Sequence, residues 1–319
     1  MGGALDARIT RSDFTTHDHI ASDDDSAQLT LPQTHQACPR LKFFIFGNNI
    51  AHSLSPTLHN TGFKELGLPH HYQIHETVAV DDGVREIMQR DDFGGASVTF
   101  PHKLQIGKYL ESESRVAKLI GAVNTVCVRY GKDGRKELVG DNTDWLGIKS
   151  CIEVSWPTSK VDARAAVVVG AGGAARAACY ALQELGIKTL YLINRTRSKA
   201  EELEKDFPTL EFVHYSSYTE FPEKVHPAPS IIVACVPADD FVEDDIPVGL
   251  FDDVENGVLV EMAYRPLVTA LMKVAGRFTG WKVTRGVDVL KEQAYHQFFM
   301  WTGRKAPTAI MAAAVDVKC

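Results

Sequence analysis

The 319-residue chain contains no run of about 18 apolar residues, and its start has no basic stretch followed by an apolar one, so neither a membrane-spanning helix nor a secretory leader is expected. Its six cysteines (Cys38, Cys127, Cys151, Cys179, Cys235 and Cys319) are scattered, with no CxxC and no histidine at metal-ligand spacing. A disulfide frame and a structural zinc site are therefore not expected, and the thiols read as reduced and cytoplasmic. Positive charge is also in short supply: 34 Lys and Arg stand against 41 Asp and Glu, a net charge of −7. An acidic chain attracts neither nucleic acid nor an anionic membrane surface, so the expected partner is a small molecule. No internal repeat is apparent. What is present is 45% hydrophobic and 24% charged residues, the balance of an ordinary globular protein of two domains or one large one.

Residues 1–40 differ from the rest. They are rich in Asp, Ser, Thr and His, include Asp23-Asp24-Asp25, and hold six Asp against three Arg. Without an apolar period they are expected to form a disordered, solvated tail. At Leu41 the character changes. Leu41 to Phe46 is an apolar run suited to a buried strand. Ser55-Pro56 then opens a helix, with Ser able to cap and Pro suited to the first helical position. Further strands are expected at Gly95–Phe100 and Gly121–Arg129, the latter followed by the turn Gly131 to Gly134. Strands alternating with helices predict an α/β unit with a mostly parallel sheet. The break at Trp156-Pro157-Thr158-Ser159 marks a boundary to a second α/β unit. In it, strands are expected at Ala165–Val169, Thr189–Ile193, Ser230–Val236 and Gly257–Glu261, with a helix over Arg176–Leu185. A helix over Asp288–Trp301 and another after Pro307 close the chain.

Between the strand at Ala165 and the following helix lies Gly170-Ala171-Gly172-Gly173-Ala174-Ala175, a G-x-G-x-x-A turn. Glycines there let the backbone approach a pyrophosphate that sits on the positive end of the helix. Alone, such a hexapeptide could be just a tight turn; the strand–turn–helix–strand order around it is the context a dinucleotide site requires. An NAD site normally places an acid at the end of the second strand, to hold the ribose 2′-hydroxyl. Here the sequence is Asn194-Arg195-Thr196-Arg197-Ser198-Lys199, three cations and no acid. Arg195 can stack on adenine and fork onto a 2′-phosphate, Thr196 adds a hydroxyl, and Lys199 adds charge. The pattern predicts NADP as cofactor, with NAD as the alternative.

Three polar clusters fall at strand ends in the first unit, where α/β sheets bind ligands: His52 to Pro56, Val98 to Lys103, and Gly140 to Asp144. With Gly47–Asn60, Gly95–Lys103, Ala122–Thr125, Gly140–Gly147, the glycine turn with Asn194-Arg195-Thr196, and Gln293, six ordered motifs resemble the shikimate/quinate dehydrogenase family from about Phe44 to the final helix. The stretches Asn142–Gly147 and Phe299–Gly303 look most like the dehydrogenase domain of the fungal pentafunctional arom polypeptide and fungal quinate dehydrogenases. The resemblance implies an α/β substrate-binding domain over 41–155, completed by helices from 287–319, and a Rossmann-like NAD(P)-binding domain over 156–286. It implies that Ser53 and Ser55 bind the substrate carboxylate and that Tyr264 lines that end. Thr99, Asn124 and Gln293 would bond the ring hydroxyls, and Lys103 and Asp144 would be the catalytic pair. Hydride transfer at a ring carbon makes or removes an alkoxide, so a proton must move at the same oxygen; a Lys held by a carboxylate can do this. Which of the two is the principal acid or base stays open at this point.

Two residues depart from the bacterial pattern: Ser97 stands where Asn is usual, and Trp145 where Gly is frequent. Three activities compete. The first is NADP-dependent interconversion of 3-dehydroshikimate and shikimate. The second is oxidation of quinate to 3-dehydroquinate with NAD(P), and the third non-catalytic sensing of the ligand. The basic turn favours the first, and the retained Lys103, Asp144 and glycine loop oppose the third.

Overall fold

The computed structural model describes residues 39–158, 161–238, 242–251 and 254–318. The expected tail lies outside the described residues up to residue 38, and Cys38 and Cys319 lie outside them too.

Strand β1 (Lys42–Gly47) is buried from Phe43 onward, as an unbroken apolar run requires. Helix α1 (Ser55–Glu65) leads to β2 (His71–Glu76), and α2 (Asp82–Gln89) leads to β3 (Phe93–Val98). Both β2 and β3 pair parallel to β1. The start of α1 differs from expectation. Leu54 occupies the cap position without a side-chain bond, while the Ser53 hydroxyl accepts the Ser55 N–H at 3.3 Å. The Ser55 hydroxyl is thereby released from capping.

After β3 come a 3₁₀ turn (His102–Leu104), β4 (Ser112–Glu113) and α3 (Arg115–Ile120). The hairpin β5 (Thr125–Tyr130) and β6 (Lys136–Asp141) follows. The strand expected from Gly121 begins only at Thr125, because Gly121, at φ 68°, takes the left-handed turn that ends α3. The sheet order is β2-β1-β3-β5-β6-β4. Strand β5 runs antiparallel to β3 and β6, so this sheet is mixed and only its β2-β1-β3 side follows the βαβ pattern throughout.

Helix α4 (Asp144–Ser155) leads to the second sheet. Its members are β7 (Ala165–Val169), β8 (Thr189–Ile193), β9 (Glu211–Tyr215), β10 (Pro229–Ala234), β11 (Gly257–Glu261) and β12 (Trp281–Thr284). All pair parallel in the order β12-β11-β10-β7-β8-β9. Helices α5 (Gly173–Glu184), α6 (Arg197–Asp206) and α7 (Ala270–Ala275) connect them. The chain winds one way from β7 to β8 and the other way to β10, which opens a crevice at the carboxyl end of β7.

Helix α8 (Gly286–Thr302) packs on α4 and α1, and α9 (Thr308–Asp316) packs on α1. Gly62 permits this closeness: a Cβ there would lie 2.7 Å from the Phe298 ring and 2.8 Å from the Met311 sulfur. The C-terminal helices thus share an aromatic core with β1 and α1, built from Phe43, Phe63, Tyr72 and Phe298.

Candidate active site

Lys103 stands in the 3₁₀ turn beyond β3, and its carbonyl accepts the Val123 N–H at 2.9 Å. Asp144 is the first residue of α4, where a carboxylate is favoured by the helix dipole. The Asn142 side chain fixes its backbone, accepting the Asp144 N–H at 3.0 Å. Lys103 Nζ lies 2.5 Å from Asp144 Oδ2, with side chains 14% and 7% exposed. The other carboxylate oxygen, Oδ1, accepts from Asn124 Nδ2 at 2.9 Å.

Asn124 is the centre of this cluster. Its Nδ2 also faces Thr143 Oγ1 at 3.0 Å and Gln293 Oε1 at 3.3 Å. Its Oδ1 accepts the Thr125 hydroxyl at 2.6 Å and the Thr143 N–H at 2.7 Å. Donors on the oxygen side and acceptors on the nitrogen side leave the amide a single orientation. The structure therefore brings Lys103, Asp144, Asn124 and Gln293 into one hydrogen-bonded group.

Beneath it runs a second polar layer that the sequence did not reveal. Gln297, one helical turn beyond Gln293, donates to Thr125 Oγ1 at 2.9 Å and to the Asn124 carbonyl at 3.2 Å. Its Oε1 accepts the Ser97 hydroxyl at 2.9 Å, and the Tyr72 hydroxyl donates to Ser97 at 2.6 Å. Ser97, which stands where the bacterial pattern has Asn, thus bridges that tyrosine to Gln297. Tyr72 also meets the Ser55 side chain, and complete burial pushes its pKa well above the ordinary phenol value. The layer links the serine end of the site to the Lys103–Asp144 end. His59 stacks on Tyr72 with ring centroids 4.6 Å apart, and burial lowers its pKa to about 3.

At the serine end, Tyr264 meets the Ser53 side chain, and burial raises its pKa. Its ring centroid lies 5.8 Å from that of His52. Thr99 follows β3, with its methyl against Gly47, where an added Cβ would come within 2.4 Å of it. Among the described residues its hydroxyl has no protein partner.

The glycine turn lies against the same cluster. A Cβ on Gly173 would fall 2.9 Å from Lys103 Cβ, so the turn and the lysine are in van der Waals contact. Gly170 has φ 104°, a conformation that favours glycine, and its N–H bonds the Ile193 carbonyl at 2.8 Å. Gly172 is the N-cap of α5 without a side-chain cap, and an added Cβ there would meet nothing within 4 Å. Open space above an uncapped helix start, flanked by half-buried Ala171 and Ala174, fits a pyrophosphate. Asn194 directly follows β8, with its Nδ2 donating to the Thr196 carbonyl at 2.7 Å. Arg195, Thr196 and Lys199 are exposed around the start of α6, beside the glycine turn because β8 pairs with β7. Neither Arg195 nor Lys199 forms a salt bridge among the described residues. They stand apart from the Lys103 cluster, at the end of the second sheet.

Arg176, unnoticed in the sequence, joins the two sides: buried on α5, it donates from Nε to the Ile120 carbonyl at 2.6 Å and from Nη2 to Asp206. Trp145 reaches the same helix from α4, meeting Tyr180 edge to face at 5.1 Å. The described residues contain no group of three or more His, Cys, Asp or Glu side chains able to hold a metal. Burial pushes the thiols of Cys127, Cys151 and Cys179 up to about 12.

Over most of its length the chain is similar to known proteins. Residues 45–126 match the family model described as the shikimate dehydrogenase substrate binding domain, and 155–245 that of shikimate / quinate 5-dehydrogenase. Residues 286–315 match the shikimate 5′-dehydrogenase C-terminal domain. The pentafunctional AROM polypeptide of Kluyveromyces lactis is 38% identical over 301 residues, 90% of this chain and 19% of that protein. The chain thus spans about a fifth of the length of such relatives. The structure of the dehydroquinate dehydratase and shikimate dehydrogenase from S. pombe AroM superposes with a TM-score of 0.73 at 36% identity, covering 87% of this chain and 53% of that one. Shikimate 5-dehydrogenase from Thermus thermophilus in complex with shikimate gives 0.71 at 32% identity, covering 87% and 98%. Its complex with NADP(H) and shikimate gives 0.69 at 29% identity, covering 88% and 100%.

Proposed function

The chain belongs to the shikimate dehydrogenase family, and on that premise we propose that it interconverts 3-dehydroshikimate and shikimate with NADP. The observation that carries this reading is the part-buried Lys103–Asp144 pair, 2.5 Å apart, whose lysine lies directly against the glycine turn. On this reading the pair supplies a proton donor beside the place where a nicotinamide would lie. Residues 41–155 with 287–319 then form the substrate-binding side, and residues 156–286 the dinucleotide-binding side.

When bound, NADP supplies or takes up the hydride. The chain's own residues do the rest. Both Asp144 oxygens are engaged, one by Lys103 and one by Asn124, so the carboxylate acts as a holder and Lys103 carries the mobile proton. In reduction Lys103 delivers that proton to the ring oxygen as the carbonyl becomes an alcohol; in oxidation it takes it back. Asn124, Gln293 and Thr99 bond the ring hydroxyls, while Ser53, Ser55 and Tyr264 hold the carboxylate. Gly170 to Ala174 receive the pyrophosphate, Asn194 shapes the turn after β8, and Arg195, Thr196 and Lys199 grip the 2′-phosphate. No helix among the described residues is long and apolar enough to cross a membrane. The free thiols of Cys127, Cys151, Cys179 and Cys235 support a reducing, cytoplasmic location.

The test is the initial rate of purified protein on shikimate and on quinate, each with NADP and with NAD. Shikimate oxidation that is fast with NADP and slow with NAD is the expected result. Faster quinate oxidation with NAD would overturn the assignment of both substrate and cofactor.

A further inference from the structure

Glu261 ends β11 and is 2% exposed. Burial raises its pKa to about 7, and no cation figures among the groups acting on it. A carboxylate in such a place costs desolvation unless its oxygens are bonded. Both are. Oε1 accepts the Ala263 N–H at 3.0 Å, and Oε2 accepts the Thr269 hydroxyl at 2.8 Å. Thr269 in turn caps α7, its Oγ1 accepting the Met272 N–H at 3.2 Å. One short, planar group therefore ties the beginning of the segment 262–269 to its end.

The base of that segment is wedged from the other side. A Cβ on Gly286, the first residue of α8, would fall 2.6 Å from the Ala263 carbonyl oxygen and 2.7 Å from that of Met262. Between the two anchors, Arg265 to Val268 are exposed, but Tyr264 is turned inward to Ser53 and His52. The segment belongs to the second sheet, whereas Ser53 and Ser55 belong to the first. Tyr264 therefore reaches the serine end only while the segment keeps its shape.

We propose that Glu261 is a positioning residue that clasps Ala263 to Thr269, holds Tyr264 against Ser53, and thereby sets the affinity for the substrate carboxylate. This rests on the reading of Ser53, Ser55 and Tyr264 as the carboxylate end of a shikimate site. The opposing view makes Glu261 a general stabiliser of β11, with no bearing on one substrate more than another.

The two views separate in the full-length chain with E261A, E261Q, Y264F and the E261A/Y264F double variant. Losing the Tyr264 contact to a charged group raises the KM for shikimate in E261A by about tenfold, with the KM for NADP and kcat changed by no more than about threefold. E261Q restores a near-wild-type KM, because its amide oxygen can take the Ala263 N–H and its amide nitrogen can donate to Thr269. Y264F raises the shikimate KM by itself, and adding E261A raises it little further. Hydrogen exchange without any ligand reads the clasp directly: amides of 262–269 exchange faster in E261A and at the wild-type rate in E261Q. Equal losses in both KM values and kcat, full additivity in the double variant, or unchanged exchange in E261A would each overturn the proposal. A wild-type chain that turns over no shikimate overturns the functional reading instead, and the exchange rates still decide whether Glu261 holds the loop.

Discussion

At the scale of single residues, the site depends on which polar atoms are already spoken for. Asp144 has both oxygens engaged and Asn124 has a fixed amide, which is why the proposal gives the proton transfer to Lys103. Lys103→Ala is expected to lower kcat by about 10²–10⁴-fold with little change in the KM for shikimate. Turnover within a few-fold of wild type would remove Lys103 from the mechanism. Arg195 makes a different kind of contribution. It is exposed and forms no salt bridge among the described residues, so its replacement should spare stability. Arg195→Ala is expected to raise the KM for NADP by about tenfold or more, since a charge-assisted bond to phosphate is lost, and to leave the KM for NAD nearly unchanged. Equal effects on both cofactors would show that this turn does not read the 2′-phosphate.

At the scale of elements, the glycine turn shows how neighbouring residues of one kind carry separate duties. Gly172 has open space where a Cβ would go, whereas a Cβ on Gly173 would press on Lys103. Gly172→Ala is therefore expected to leave the melting temperature of the free protein unchanged, while raising the KM for NADP. Gly173→Ala is expected to lower kcat and to destabilise by about 1–3 kcal/mol, the range for overpacking. Thermal melts beside steady-state kinetics separate the two; identical behaviour would contradict the placement of the turn. Helix α8 likewise serves two ends. Gln293 and Gln297 point into the polar layers, and Phe298 fills the aromatic core. Sequence periodicity shows the apolar face of such a helix plainly and says little about polar residues buried on it.

At the scale of the whole molecule, two buried groups oppose each other in the response to pH. Glu261 has a native pKa of about 7 against an ordinary 4.5, so the native state holds the extra proton between those values. Its contribution is full at low pH and is lost as pH rises through 7. His59 is lowered from 6.5 to about 3, so its contribution is present above 6.5 and is lost as pH falls toward 3. Replacing the glutamate removes its trend, whereas the histidines lowered by burial, His59 together with His52, His70 and His296, keep theirs. Between pH 5 and pH 8, E261Q should gain stability relative to wild type by about 3 kcal/mol, a shift of roughly two units in pKa. Urea unfolding of both proteins at the two pH values checks this, and a constant difference between them would refute it.

Much of the second sheet could be read from the chain itself. Ala165–Val169, Thr189–Ile193 and Gly257–Glu261 are strands at the expected limits, because parallel strands covered on both faces are apolar along most of their length. The glycine turn was legible because close backbone approach requires glycines at short spacing, whereas Lys103 and Asp144, 41 positions apart, were singled out through the resemblance of their motifs to the family. The antiparallel β5–β6 hairpin, the release of Ser55 from capping, and the roles of Tyr72, Gln297, Arg176 and Glu261 were not. Ser97 and Gln297, 200 positions apart, become partners only when α8 folds back onto the first sheet. Local sequence carries the periods and turns that order the backbone. Which buried polar groups must satisfy one another is decided by packing, since the penalty for leaving any of them unpaired exists only once water has been excluded.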